Sequence, residues 1–307
     1  MLSEHFVEPE FLIEAASKPR NYKDFLREFG RQSPRVIGEI QKFRKFESKV
    51  LDTQGQDAPE LAKGRLIEIL STIREKCLVS RELQYDGEKG FLENFIVAHQ
   101  KIPANVFCMG QTYEPLYVGI EHVFSSHFDA GIDPLRNQMV VRKSIDEMID
   151  AVRDFLRLSK KITFVDPYFS DRSKMLNPML RFIEAACKAS PTKEKHIRIL
   201  FRAREQAPSV HLIMDKLTQA LDCRALGLTS LEVVALNERA IEPKEKLHNR
   251  YIISDLGALI WGIGLDEDTS SVSDDVVLMD DGLYDFRYAQ YCDLTSFDIS
   301  ESVVVPS

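Results

Sequence analysis

Residues 245–267, EKLHNRYIISDLGALIWGIGLDE, contain two short apolar runs that are separated by the turn-forming residues 255–257. Apolar runs of this length between turn residues are typical of buried strands, so the stretch predicts a hairpin with strands at 250–254 and 258–264. His248 and Arg250 are two residues apart, so on a strand both side chains would point to the same face. We extend the fold prediction outward from this hairpin.

The sequence that precedes the hairpin alternates between helical and strand patterns. A capping-box pattern, Ser144 with Glu147, precedes apolar residues at helical spacing. The segments that follow are a strand at 160–165, a helix at about 178–189, a strand at 196–203, a helix at about 209–222 and a strand at 231–236. Helices that connect strands in this way form parallel sheets, so we predict an α/β domain, a mixed sheet flanked by helices, over residues 136–307.

The first 135 residues predict a different kind of domain. Apolar residues fall at helical spacing from Pro9 to about Leu51 and again from Leu66 to Cys77, with a loop at 52–60 between them. Residues 91–135 leave the choice open, because NFIVAHQ fits a short helix whereas NVFCMG and LYVGIEHVF fit strands. We expect residues 1–135 to form a mainly helical interaction or regulatory domain.

The composition indicates a globular chain with unevenly distributed charge. Hydrophobic residues make up 44% and charged residues 29% of the 307, which excludes a disordered tail protein, a collagen-like chain and a membrane bundle. The formal net charge of -8 argues against a general nucleic-acid binder. However, residues 136–255 carry 22 basic and 16 acidic residues, whereas the last 52 carry 1 basic and 11 acidic residues. If this acidic segment folds over the basic stretch it gates access; if it points away, the objection to nucleic acid disappears.

No metal, cofactor or membrane segment is expected. Five widely spaced cysteines without a C-x-x-C pair disfavour a disulfide framework and a zinc site, and they fit a cytoplasmic protein. There is no secretory signal pattern and no apolar stretch of about 18 residues. His122, His127 and Asp129 have a spacing that is uncommon in zinc sites, so we expect a structural role. The acidic run from Asp266 to Asp281 lacks the spacing of a calcium-binding loop and is expected on a solvated surface.

His248, Arg250 and Asp255 form the candidate catalytic group. An imidazole can act as nucleophile or acid, and a guanidinium binds phosphate oxygens in pairs, so the group suits a phosphodiester with Asp255 as orienter. Asp166 and Tyr168 follow a predicted parallel strand, and ligands of open α/β sheets gather at the carboxyl ends of strands, so we expect both near His248. In the alternative, Asp166 only forms a turn with the following proline and Tyr168 packs as a half-buried aromatic residue.

This segment resembles the phospholipase D superfamily, whose signature is His-x-Lys-x4-Asp followed about six residues later by Gly-Ser. The residues at the positions of the signature are His248, Asp255 and Gly262. Arg250 replaces the Lys of the signature, Ile263 replaces its Ser, and Leu265 replaces a later Asn. Together with ITFVDPYF, the segment looks most like the phospholipase D-like C-terminal domain of MIT-domain proteins and related bacterial proteins. The resemblance covers about residues 136–290.

The resemblance implies a phospholipase D-like fold and a metal-independent phosphodiesterase, a nuclease acting on DNA or RNA without a cofactor. In that mechanism one His attacks phosphorus and a second His protonates the leaving oxygen. Because this chain has one motif, the second His248 would come from another copy, which implies a homodimer. The implied substrate-binding residues are Asp166, Tyr168, Asn249 and Gly262. Bacterial proteins of this kind are suspected of belonging to defence systems, so the resemblance also implies a setting in antiviral defence.

A second interpretation is a binding module with the same fold and a disabled site. The Arg in place of Lys and the missing Ser and Asn favour it. Such a module would dock to a protein partner, a nucleic-acid backbone or a phospholipid head group. In either case the N-terminal domain would recruit a protein partner or regulate access.

Overall fold

The computed structural model describes residues 2–31, 33–102, 106–109, 121–124, 137–192, 194–240, 245–268, 270 and 272–306, with the backbone alone for 106–109 and 121–124. The chain divides into two units, Leu2–Arg136 and Asn137–Ser307. None of the helices in these ranges has the length and apolar character needed to cross a membrane.

The N-terminal unit is built on a parallel sheet. Its helices are α1 (Pro9–Ser17), α2 (Pro19–Glu28), α3 (Phe43–Gln54), α4 (Glu60–Thr72), which continues as a π-helical turn over Ile73–Cys77, and α5 (Phe91–Lys101). Its strands are β1 (Ser3–Val7), β2 (Arg35–Gly38), β3 (Leu78–Val79), β4 (Val106–Met109) and β5 (Glu121–Phe124). The strands lie in the order β3-β2-β1-β4-β5, and each pairs in parallel with its neighbours.

The described N-terminal residues lie in helices more often than in strands, but their helical spacing did not predict strand β2 of this sheet. Val36 and Ile37 fit a helical spacing with Phe43, yet they lie in strand β2, and α3 begins only at Phe43. Both residues are β-branched and buried, and β2 has a neighbouring strand on each side. A short apolar run of this kind is buried on both faces of a parallel sheet, so its periodicity does not distinguish a strand from a helix.

A buried ion pair holds the N-terminal sheet to the chain that follows it. Arg81, just after β3, donates from Nε and Nη2 to the two carboxylate oxygens of Glu4 on β1, at 2.7 and 2.6 Å. The two side chains are 1% and 0% exposed. Arg81 also donates to the carbonyl of Ile102 at 2.8 Å and lies 4.9 Å from the ring centroid of Phe6. A Cβ at Gly38 would collide with the Glu4 carboxylate, so glycine makes room for the pair.

The C-terminal unit is an eight-stranded mixed sheet flanked by helices, and the predicted α/β class is confirmed. Its helices are α6 (Ile145–Leu158), α7 (Ser173–Cys187), α8 (Val210–Ala220) and α9 (Asp281–Tyr291). Its strands are β6 (Gln138–Arg142), β7 (Lys161–Val165), β8 (His196–Arg202), β9 (Ser230–Glu238), β10 (Arg250–Ser254), β11 (Gly257–Trp261), β12 (Ser273–Leu278) and β13 (Phe297–Pro306). They lie in the order β13-β9-β8-β7-β10-β11-β12-β6. The neighbouring pairs β7–β8 and β8–β9 are parallel and the other neighbouring pairs are antiparallel, and β10 and β11 form the predicted hairpin.

Helix α6 begins where the capping-box pattern places it, but with different contacts. Ile145 is its first residue, directly after Ser144. The Glu147 carboxylate forms an ion pair with Arg142 at 2.9 Å, and no cap hydrogen bond of the Ser144 side chain exists among the described residues. The start of the helix therefore depends on its buried apolar stripe more than on the capping box.

The two faces of this sheet are covered by different helices. On one face, Phe182 of α7 packs against Phe164 and Trp261, with ring centroids 5.7 and 6.0 Å apart. On the other face, which we call the α9 face, Tyr284 and Tyr291 join a buried cluster with apolar residues of β7 to β10. Side chains alternate between the faces along each strand, so a residue's position in its strand decides which layer it enters.

Candidate functional site

Asp166 and Arg250 lie side by side at the carboxyl end of strand β7. Asp166 directly follows β7, and Arg250 is the first residue of β10, which runs antiparallel to β7 with Tyr251 opposite Val165. Arg250 Nε is 3.9 Å from Asp166 Oδ1. The carboxyl-edge site, as we call it, consists of Asp166, Tyr168, Arg204, His248 and Arg250.

The buried carboxyl of Asp166 holds the base of the site in place. Its side chain is 3% exposed, and Oδ1 accepts a hydrogen bond from the backbone N–H of Tyr168 at 3.0 Å. Burial raises the pKa of the Asp166 carboxyl above its ordinary value, although the hydrogen bond from Tyr168 and the charge of Arg250 oppose this shift. The carboxyl therefore fixes the loop that carries Tyr168, and it neutralises Arg250 only in part.

The ring of Tyr168 is the centre of the site. Its hydroxyl lies 3.1 Å from Nδ1 of His248, and the two rings meet edge to face. The guanidinium carbons of Arg250 and Arg204 are 4.9 and 5.3 Å from its ring centroid, within the range of cation–π interactions. One aromatic ring thus contacts an imidazole and two guanidinium groups, which come from two other segments of the chain.

The hydroxyl of Tyr168 leaves His248 with two possible roles. A phenol can donate to Nδ1 or accept from it. When it donates, Nε2 carries the hydrogen and can donate to a phosphate oxygen; when it accepts, Nε2 keeps a lone pair that can attack phosphorus. His248 is exposed, so a ligand can reach the ring. The permanent charges of Arg204 and Arg250 suit an anion in both cases.

A second layer of charged residues surrounds Arg250. Its Nε is buried and has no hydrogen-bond partner in the described part of the chain. A Cβ at Gly264, where φ is +151°, would lie 3.0 Å from Oδ1 of Asp266 and 3.7 Å from that Nε, so glycine leaves room for the Asp266 carboxylate beside Arg250. Lys143 and Lys174 contact the Asp266 carboxylate at 2.6 and 3.4 Å. Burial alone would raise the pKa of Asp266, but these two lysines lower it. Asp266 therefore balances the lysines, while Arg250 keeps a free donor.

Asp255 lies at the other end of β10 and does not join the site. Its Oδ1 accepts hydrogen bonds from the backbone N–H groups of Lys160 and Lys161 at 2.9 and 3.1 Å. A strand rises about 3.3 Å per residue, so about 16 Å separates Asp255 from Arg250 along β10. The expected orienting role is corrected: the strand carries Asp255 to the amino end of β7, where it satisfies backbone donors.

Two of the expected substrate ligands, Asn249 and Gly262, differ in their surroundings. Asn249 is exposed next to His248, whereas Gly262 lies against an internal carboxylate. A Cβ at Gly262 would collide with the carboxylate of Asp274, which is 3% exposed. That carboxylate accepts hydrogen bonds from the backbone N–H groups of Ile263, Gly264 and Asp275. Gly262 therefore makes room for an internal carboxylate instead of a substrate.

The described side chains do not form a metal site. Across the described ranges, no group of three His, Cys, Asp or Glu side chains is placed to hold a metal ion. The cluster of His122, His127 and Asp129 lies outside the residues whose side chains are described.

The acidic run from Asp266 to Asp281 is not simply a solvated surface, as had been expected from its sequence. Asp266 binds two lysines, and Asp274 is buried against backbone donors. Asp280 caps helix α9, because its Oδ1 accepts a hydrogen bond from the N–H of Leu283 at 2.8 Å. Several acidic residues of this run thus stabilise the loops beside the site and the start of α9.

Sequence patterns did not single out Arg204 or Lys143. Arg204 lies just after the carboxyl end of β8, so the rule that placed Asp166 and Tyr168 near a ligand could have found it. Lys143 and its partner Asp266 are 123 residues apart in the chain, and no local pattern connects them.

Comparison with known proteins assigns no family. No family model matches the chain, and no curated protein matches it. Solved structures that match include that of TrmBL2, an archaeal chromatin protein described as showing a novel mode of DNA binding, at 12% identity and a TM-score of 0.28. The match covers 52% of this chain and 52% of TrmBL2. A likeness at this level assigns neither the fold nor a ligand.

Proposed function

We propose that the carboxyl-edge site binds the phosphodiester backbone of a nucleic acid. The observation that carries the proposal is the convergence of Arg204, Arg250 and His248 on the ring of Tyr168. Guanidinium groups donate paired hydrogen bonds to phosphate oxygens, and an imidazole N–H adds a further donor. Arg250 is the first residue of β10 and Asp166 directly follows β7, so the position of the Arg250 donor is fixed before a ligand arrives.

The charge around the site favours a ligand with several phosphates. The ion pair between Arg250 and Asp166 is 3.9 Å long, and Arg250 Nε has no hydrogen-bond partner among the described residues. Residues 136–255 carry 22 basic against 16 acidic residues. A nucleic acid presents a row of phosphates, and each phosphate that a protein neutralises adds to the dependence of binding on salt.

Cleavage of the same backbone by a metal-independent phosphodiesterase is the second candidate, and exposed His248 with an engaged Nδ1 favours it. In this reaction Nε2 attacks phosphorus, an N–P bond forms, and the P–O bond to the leaving nucleoside breaks. A second imidazole protonates the leaving oxygen, and water then cleaves the N–P bond. The second imidazole would be His248 of another copy. We rank cleavage below binding because Asp255 and Gly262 serve the fold.

Fluorescence anisotropy with labelled single- and double-stranded DNA and RNA, in the presence of EDTA, tests binding. Arg250→Gln and Arg204→Gln should each weaken binding about ten-fold and reduce the salt slope by about 1. The matched control is Arg153→Gln, which removes an exposed arginine of α6 that pairs with Asp150. Equal affinities for all three variants and the unaltered protein would contradict the proposal. Tighter binding to vesicles that contain an anionic phospholipid would move the assignment to a lipid head group.

The same samples, incubated and separated on denaturing gels, test cleavage. Loss of cleavage in His248→Ala, with retention in Arg153→Gln, supports the phosphodiesterase. Binding that depends on Arg250 without any cleavage identifies a binding module.

A further inference from the structure

Strands β7, β8 and β9 form a polar groove of about 460 Å³ on the α9 face, at their amino ends. The floor consists of two rows of neighbouring residues, Lys161–His196–Ser230 and Thr163–Arg198–Glu232. The C-terminal end of α9 forms one wall. The groove and the carboxyl-edge site thus lie at opposite ends of the same strands.

Helix α9 covers only part of its face. Its tyrosines pack against Val165, Leu200 and Val234, toward the carboxyl ends of the parallel strands. At the amino ends, Lys161 is exposed and Glu232 is only half-buried by the described residues. Sheets of parallel strands are normally covered on both faces. This uncovered part of the α9 face is therefore a surface that fits a partner.

One exposed apolar side chain lies beside the groove on edge strand β13. Val304 is 52% exposed and pairs with Glu232 of β9, and paired residues of antiparallel strands lie on the same face. The Val304 side chain therefore belongs to the α9 face. Ile299, which is 53% exposed, pairs with Leu236 on the same face, about 13 Å closer to the carboxyl end of β9. An apolar group beside a polar groove is typical of a protein interface.

We propose that a second copy of this chain covers the groove in a two-fold symmetric dimer. A two-fold contact needs a self-complementary surface. The groove has this property across its central strand β8, because Lys161 on β7 lies to one side and Glu232 on β9 to the other. A two-fold axis near β8 brings Lys161 of each copy to Glu232 of the other. Arg198 holds Glu232 in place at 2.6 Å, so the acceptor is fixed before association.

This dimer keeps the two carboxyl-edge sites apart. The contact is at the amino ends of the strands, whereas His248 is at the opposite end, so the two His248 rings do not meet. The dimer therefore presents two separate sites, and it does not supply the second imidazole that cleavage requires. The inference does not rest on the proposed function, because it uses none of the residues of the carboxyl-edge site.

Sedimentation velocity on the full chain, over a series of concentrations, tests the dimer. We expect Val304→Asp to raise the dissociation constant of the dimer at least about ten-fold, because it places a charge in a desolvated contact. The matched control is Val140→Asp on β6 at the opposite edge of the sheet, where Val140 is 70% exposed; it should leave association unchanged. A protein that stays monomeric at every concentration, or equal effects of the two variants, would overturn the proposal.

A zero-length carbodiimide cross-link tests the register of the contact. Equal amounts of ¹⁴N- and ¹⁵N-labelled protein are mixed, so mass spectrometry separates links between copies from links within one copy. We expect a mixed-isotope link between Lys161 and Glu232. A dimer without this link that also tolerates Val304→Asp would place the interface elsewhere and overturn the inference.

Discussion

Each unit contains an arginine paired with a buried carboxyl, and the two pairs differ in almost every other respect. Arg81 and Glu4 share two hydrogen bonds of 2.7 and 2.6 Å, and both are sealed from solvent. Arg250 and Asp166 are 3.9 Å apart, and the Arg250 side chain is 19% exposed. Its Nε has no acceptor in the described ranges of the chain.

The Arg81–Glu4 pair stabilises the fold, whereas the Arg250–Asp166 pair leaves the Nε of Arg250 without an acceptor among the described residues. A buried ion pair is tolerated when its hydrogen bonds are satisfied, as those of Glu4 and Arg81 are. The Arg250 pair leaves a buried donor unsatisfied, which costs stability unless a ligand completes it. The loose geometry is therefore a better indicator of a binding site than the presence of two charged residues.

The largest expected effect is on the pair of Arg81 and Glu4. Arg81→Met leaves the Glu4 carboxylate buried without its partner, so we expect a loss of about 3–5 kcal/mol in the free energy of unfolding. Urea denaturation measures it. The double variant Arg81→Met with Glu4→Gln should recover part of the loss, because the isolated charge is gone. A loss below about 1 kcal/mol in Arg81→Met would remove the contrast between the two pairs.

Removing the arginine of the Arg250–Asp166 pair should affect ligand binding more than stability. Arg250→Met should weaken nucleic-acid binding about ten-fold, equivalent to about 1.4 kcal/mol, while the free energy of unfolding changes by less than about 1 kcal/mol. The stability change is small because the two groups are 3.9 Å apart and share no hydrogen bond in the described structure, so little attraction is lost. Anisotropy and urea denaturation on the same samples measure both. A stability loss as large as that of Arg81→Met would show that the Arg250 pair serves the fold.

Asp255→Ala tests the assignment of this residue to the backbone of β7. It removes the acceptor of two N–H groups, so we expect a loss of about 1 kcal/mol in stability and no change in nucleic-acid affinity. Thermal denaturation and anisotropy report the two effects. Weaker binding at unchanged stability would return Asp255 to the carboxyl-edge site.

The smallest expected effect concerns the protonation of Asp166. Burial raises the pKa of the Asp166 carboxyl in the folded state above its ordinary value of 3.8. At a pH between 3.8 and the folded-state pKa, the folded chain therefore holds a proton that the unfolded chain has released. The stability from this group is thus complete below about pH 3.8 and is lost as the pH rises through the folded-state pKa. Asp166→Asn lacks this loss, so its stability relative to the unaltered protein should increase with pH. Denaturation curves from acidic to neutral pH check the sign, and a relative stability that decreases with pH would contradict it.

The sequence contained enough information for the C-terminal strands and for part of the site. Alternating helices and strands placed β7 to β11, and the carboxyl-end rule brought Asp166 and Tyr168 to Arg250 and His248. Prediction from the sequence failed where tertiary packing decides whether a segment forms a helix or a strand. The run at Val36 became a strand because neighbours bury both of its faces.

The residues around Arg250 show a second limit of sequence reasoning. The spacing of the motif placed Asp255 with His248, but it does not show where the turn of the hairpin lies relative to the sheet edge. Lys143 and Asp266 come together only through the sheet order, in which β6 and β11 both neighbour β12. Such contacts depend on the complete topology.

The carboxylate of Asp274 has one more consequence for the loop that follows β11. By accepting hydrogen bonds from the N–H groups of Ile263 and Gly264, it takes the position that a bound anion would occupy in a backbone nest. The chain thus supplies its own counter-ion there. These hydrogen bonds hold Ile263 and Gly264 in place without a ligand, so the backbone at these two residues loses little ordering entropy when a ligand binds beside Arg250.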